Sequence, residues 1–349
     1  MLVFLPACGG SDETAAPASG SGFRYEPGGA DFFATPWPSD HRVLADGTVD
    51  LGSFPRQEVA IVSQIVQAIE GHITGFSTMP TGYFQLQGAP SGEALLAPID
   101  TLDPTAAVQL IALGPESCGE RVPVEMQISL ANDGDPYLPG HVLQIAPVPG
   151  FVLRQQVPYA FVVLRSFTMA SGEPVERPAQ WDAYLEGTKT GPIADSLEPL
   201  RACAAQGEID LDAVALGTVF TVQDVVGPAS ALRNAVADPD YSDAPEITGW
   251  AVDAGLSGSD HTAYTATYQT PIFQTGVSPY ADEGGDIVFD EDGQPIIQRW
   301  EEVPMIVVVP EGAGPFPVLL WVDGTGWGQW SHVSSSLTKS LLAAGFAVA

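Results

Sequence analysis

Few residues in this chain stand in patterns that chemistry uses. A glycine loop, Asp323-Gly324-Thr325-Gly326, follows the apolar run Phe316–Val322. Glycine lets a backbone approach a reacting group closely and take positive φ. The same pattern also makes an ordinary strand-to-helix turn. Behind the loop, Ser331-His332 precede Ser334, Ser335 and Ser336. Neighbours in sequence are not a triad, because geometry assigns those roles. Such a cluster at a helix start reads as capping. His41, His72, His141 and His261 show no metal-ligand spacing. Asp290-Glu291-Asp292 and Asp133-Gly134-Asp135 lack the twelve-residue calcium-loop pattern and read as solvated turns. No metal or cofactor is expected.

The sequence has three cysteines, at 8, 118 and 203. Cys118 and Cys203 either pair in an oxidising compartment or remain two buried thiols. The nucleophile elbow Gly-x-Ser-x-Gly occurs nowhere in the 349 residues. Gly20-Ser21-Gly22 and Gly255-Leu256-Ser257-Gly258 have neither its spacing nor a strand before them.

The elements that position these groups follow from periodicity. Residues 23–55, with Phe32, Phe33 and Trp37 among prolines and glycines, read as an extended arm packed on a neighbouring domain. Val59, Val62, Ile65, Val66 and Ile69 predict a helix over 56–70, ended at Gly71. Short apolar runs between turn signals over 81–180 predict a β-sandwich. Residues 181–262 read as a helical segment and an acidic connection. Helical faces come from Ile193, Leu197 and Leu200 and from Leu232–Val236, around a β-like Val219–Gln223. An Asp-Gly hairpin turn is expected at Asp290–Gly293. From Met305 the order is strand, strand (Pro317–Val322), glycine loop, helix over 334–344 and strand from Phe346. That is the opening of a doubly wound sheet, with Val333, Leu337 and Leu341 as the helix stripe that packs on it.

Two resemblances give these elements a function. Leu5-Pro6-Ala7-Cys8-Gly9 resembles a bacterial lipobox, which implies that Cys8 is the lipidated N-terminus of an exported lipoprotein. Gly9–Gly22 reads as its flexible tether. Seven residues precede Cys8 and none is basic, so residues 1–8 read as a shortened signal. The run Phe316–Gly326 resembles the strand and loop of α/β-hydrolases, where the loop usually reads His-Gly-x-Gly. Phe220-Thr221-Val222-Gln223, then Pro271–Gln274 with Pro279-Tyr280, then Glu302–Met305 are similar, in that order, to exported lipases of the virulence-factor-lipase type. The resemblance implies an Ig-like β domain before a carboxylic-ester hydrolase domain over 263–349. It makes Thr325 and Gly326 oxyanion donors, with Asp323 and Gly324 in the loop, and Asp323 replaces the family's His. The triad would follow the strand at Phe346, so these residues alone are expected to be inactive. The alternative is a non-catalytic surface-binding lipoprotein with a degenerate hydrolase tail.

Composition narrows the partners. With 43 acidic against 12 basic residues the net charge is −31, which repels phosphate backbones and excludes nucleic acid as a natural partner. Such acidity fits either a saline habitat or an extracytoplasmic protein without basic partners. An ester or lipid substrate and a membrane reached through a lipid anchor are the expected partners. The expected fold class is α+β followed by α/β: a β-sandwich-like domain with helices, then the first strands and helix of the doubly wound sheet.

Overall fold

The computed structural model describes residues 22–130, 135–238, 246–280, 283–324 and 328–349. Over these residues the fold is mixed α+β, with twelve strands in three sheets and six α-helices. The chain divides into two compact units, 1–225 and 226–349. Cys8 and the tether 9–22 lie outside the described residues except for Gly22.

The first unit is built on β1 (Gly82–Gln85), β2 (Val108–Ala112), β3 (Arg121–Val122), β4 (Val124–Ser129), β5 (Val142–Pro147), β6 (Pro158–Leu164) and β7 (Val214–Thr221). One sheet runs β1-β5-β4, the other β3-β2-β6-β7, all antiparallel. β4 alternates, with Val124 buried and Glu125 and Gln127 exposed, as a half-solvated sheet demands. β2 and β6 are buried almost throughout because they are interior strands, Gln109 being the one polar side chain among them. β7, which contains the start of the β-like run expected at Val219–Gln223, lies beyond the expected domain boundary at 180 and completes the second sheet.

The helices differ from expectation in instructive ways. α1 covers Ala60–Ile69, starting four residues late, because Arg56 takes positive φ and Val59, its N-cap, is still extended at ψ 120°. Of its apolar face, Val62 and Val66 are buried while Ile65 and Ile69 stay exposed. α2 (Ala179–Leu185) was not anticipated; it buries Trp181, Tyr184 and Leu185. Arg177 ties it down, pairing with Asp182 and donating to the Val214 carbonyl at 2.7 Å. α3 (Pro192–Ser196) and α4 (Glu198–Ala204) follow, placing Leu197, Leu200 and Cys203 in the core.

Residues 23–55 pack their aromatics on the β region as expected, and both belong to one compact unit and share its core. Phe32 packs on Trp37 at 4.9 Å, Phe33 on Tyr83 at 5.7 Å and Trp37 on Phe76 at 5.2 Å. The Arg42 guanidinium lies 4.5 Å from the Phe32 ring centre and donates to the Phe32 carbonyl.

The second unit holds α5 (Gly227–Ala237), β8 (Ile247–Val252), β9 (His261–Ile272), β10 (Arg299–Pro310), β11 (Val318–Leu319), α6 (Ser336–Ala343) and β12 (Ala347–Val348). Its sheet order is β11-β12-β10-β9-β8. The expected acidic connection therefore contains a strand, β8, which pairs with β9. β9 and β10 pair along all twelve residues, from His261↔Pro310 to Ile272↔Arg299. A tight turn at Asp290–Gly293 lies between them. Only β11 and β12 are parallel, joined through α6; the other pairs are antiparallel. The buried stripe of α6 is Thr338 and Leu342, one position on from the expected Leu337 and Leu341. Leu337 is 52% exposed. Leu342, Val333, Ile306 and Val308 make the small core of this unit.

Candidate functional site

The second unit concentrates polar chemistry where β11 and β12 end. The ladder continues past β11, with the Trp321 N–H donating to the Ala349 carbonyl at 2.6 Å and the Ala349 N–H to Leu319 at 2.9 Å. The chain then leaves the sheet at Val322 and enters the glycine loop. Binding crevices in open α/β sheets lie outside the carboxyl ends of parallel strands. A cavity of about 730 Å³ occupies this position, lined among others by Tyr268, Met305, Trp321, Asp323, His332 and Ala349.

Asp323 is held on both carboxylate oxygens. The Trp321 indole N–H donates to one at 2.9 Å, and the Ser331 hydroxyl donates to the other. The carboxylate thus fastens the exit of β11 to the segment before α6. Gly324 is exposed, and an added Cβ would meet nothing within 4 Å. Thr325 and Gly326, the expected donors, lie outside the described residues.

The Ser/His cluster caps the helix as expected, but His332 takes no part in it. Ser335 is the cap, accepting from the Leu337 N–H at 3.2 Å. His332 is 3% exposed, its ring stacked on Trp321 at 6.3 Å, and its Nε2 has no hydrogen-bond partner. Burial lowers its pKa below the ordinary histidine value, against the opposing pull of Asp323 and the Gln329 backbone. The imidazole is therefore neutral near pH 7. A buried nitrogen without a partner is unusual, since most such groups are satisfied.

The remaining sequence candidates are dispersed. Cys118, in the β2–β3 turn, is disulfide-bonded to Cys203 of α4 with Cα atoms 5.6 Å apart. Asp290 accepts from the Asp292 and Gln294 N–H groups at 3.0 and 2.8 Å, so its carboxylate stabilises its own turn. Asp135 does the same for Tyr137; Asp133 and Gly134 lie outside the described residues. His41 bonds Ser39, and His261 bonds Asp260 and the Leu256 carbonyl. No cluster of three metal-ligating side chains occurs among the described residues. Nor is any described helix long and apolar enough to cross a membrane. Sequence reasoning missed the clamp of Trp321 and Ser331 on Asp323. The eight-residue separation of Asp323 and Ser331 does not by itself announce it.

No family model matches the chain, and neither a curated protein nor a solved structure is similar enough to it to count as a match.

Proposed function

We propose that the second unit is the oxyanion-holding side of a carboxylic-ester hydrolase of the α/β-hydrolase type, carried on an exported, lipid-anchored chain. The observation that carries this reading is the path β11, glycine loop, α6, β12. It returns the last strand between β11 and β10 and leaves a cavity at the carboxyl ends of the parallel pair. In serine hydrolases of this type one oxyanion donor comes from the corresponding strand-to-helix loop. Thr325 and Gly326 are the donors in this reading. One such donor stabilises a tetrahedral oxyanion by about 3 kcal/mol.

Asp323 in the family's His position does not oppose that role. Its charge is engaged by the Trp321 indole and the Ser331 hydroxyl. Residues 1–349 contain no Gly-x-Ser-x-Gly serine, so this chain is expected to bind esters without turning them over. The Cys118–Cys203 disulfide supports export, because such bonds persist in oxidising compartments. Cys8 is the lipidation site in this reading; its replacement by Ser is expected to move the chain from the detergent phase to the aqueous phase.

The test of the ester site is a titration with methyl butyrate, followed through the Trp321 indole resonance. Saturable shifts are expected, weakened at least tenfold by Gly324→Trp, which adds bulk where the backbone has room for it. Absence of saturable binding removes the hydrolase reading. The second reading, a non-catalytic surface-binding lipoprotein, is favoured by Asp323 standing in place of His. It predicts that methyl butyrate does not bind at this loop.

A further inference from the structure

We propose that the first unit carries a binding site of its own for an uncharged acyl chain, in the cavity walled by α1. The cavity has a volume of about 690 Å³. Ligand sites typically span roughly 300–1,000 Å³, apolar with a few polar groups. Its floor is core: Val49, Leu51, Val62, Val66 and Phe76 are each no more than 8% exposed. Its mouth is open: Phe54, Ile65, Ile69, Met79 and Tyr137 line it and are each at least 36% exposed.

Interiors pack to crystal density, and an apolar void forfeits the contacts that its walls would otherwise make. A space this large, continuous from the core to an open apolar rim, has the size and lining of a site for an apolar ligand. α1 supports the same conclusion. A surface helix ordinarily turns charge to solvent. None of the ten residues of α1 is charged, and Ile65, on the cavity rim, is 54% exposed.

Charge selects the occupant. No lining residue among those described is ionisable as an acid, base or histidine apart from the tyrosine hydroxyls; Ser77, Thr81 and Gln223 supply neutral polar groups. A free fatty acid would bring a carboxylate with no cation to meet it, into a protein of net charge −31. A neutral ester of the same chain meets no such penalty. The site involves no residue of the second unit, so it stands or falls separately from the ester site proposed there.

The experiment is displacement of Nile red from the full chain by methyl laurate and by laurate at pH 8. Saturable displacement by methyl laurate is expected, with laurate at least tenfold weaker. Ile65→Glu should weaken methyl laurate at least tenfold. Met79→Glu, across the mouth and off the helix, should do the same and covers the case in which the helix variant fails to fold. Ile61→Glu is the internal control: Ile61 is 60% exposed on the same helix but does not line the cavity, so affinity should hold. The proposal is overturned by no saturable displacement, by equal competition from laurate, or by equal losses from Ile61→Glu and Ile65→Glu. Displacement abolished by Gly324→Trp alone would equally overturn it, by placing the probe in the second unit.

Discussion

β6 and β8 are both short apolar strands, Pro-Tyr-Ala-Phe-Val-Val-Leu in one unit and Ile-Thr-Gly-Trp-Ala-Val in the other. From Tyr159 onward every residue of β6 is buried, and every residue of β8 is exposed. Composition does not separate them; position in the sheet does. β6 lies between β2 and β7, with apolar side chains on both of its faces. β8 is the last strand of its sheet, and its pairing with β9 is broken between Thr248 and Ala251, beside Gly249 at φ 68°. A bulge at an edge twists the unpaired backbone and discourages strand addition. The units as wholes repeat this contrast. One core draws on all but one of the sheet strands of the first unit; the other consists of four buried side chains, Ile306, Val308, Val333 and Leu342. Apolar sequence becomes stability only where topology encloses it.

That contrast breaks if the two units respond alike to losing a cross-link or a core side chain. Replacing Cys118 and Cys203 together by Ala releases a loop with a sequence separation of 85. By chain-entropy arguments this costs about 4–5 kcal/mol. Hydrogen exchange should show protection falling in β2, β6 and β7 while β9 and β10 keep theirs; equal loss in both would remove the distinction. Leu342→Ala is next, at about 3–4 kcal/mol for a buried leucine. With so few buried neighbours to share the loss, protection across α6 and β12 should vanish, whereas Leu216→Ala should leave the first unit folded.

A pH titration sharpens the comparison further. Burial lowers the pKa of His41 from 6.5 to about 4. A depressed folded value means the stabilisation is present above pH 6.5 and lost as pH falls toward 4, on the order of 3 kcal/mol. Asp40 acts in the opposite sense: burial raises its pKa, so its contribution falls as pH rises above the unfolded carboxyl value. Denaturant melts between pH 7 and 4 should show the first unit weakening, and His41→Gln should flatten that slope. His332 shifts in the same direction as His41, so the second unit should weaken in acid too. The smallest effect is Ser335→Ala, which removes the α6 N-cap and should lower the second unit's stability by about 1 kcal/mol in the same melts.

Much of this architecture could be read from residue pattern. Strands β1, β2, β5 and β6 sit close to where their apolar runs end at turn residues, because local propensity and burial agree there. α2 was not legible: Trp181, Tyr184 and Leu185 look helical only once Arg177 and Asp182 fix the segment against β7. β8 hid inside an acidic, glycine-rich stretch, since its partner β9 defines it and not its composition. The α6 stripe slipped by one residue because Thr338 is buried and Leu337 is not, an exchange no hydropathy pattern announces. At the site, Asp323 could be located but its clamp could not. The bonds from Trp321 and Ser331 depend on how the loop closes.

The bond between Cys118 and Cys203 also turns the first unit into a partly closed ring. Within that ring, residues 186–190 are all exposed, and Lys189 is among them. A single tryptic cut after Lys189 therefore severs the polypeptide without separating it. The two pieces migrate as one species until a reductant is added, so intactness on a non-reducing gel says nothing about whether the backbone is continuous there.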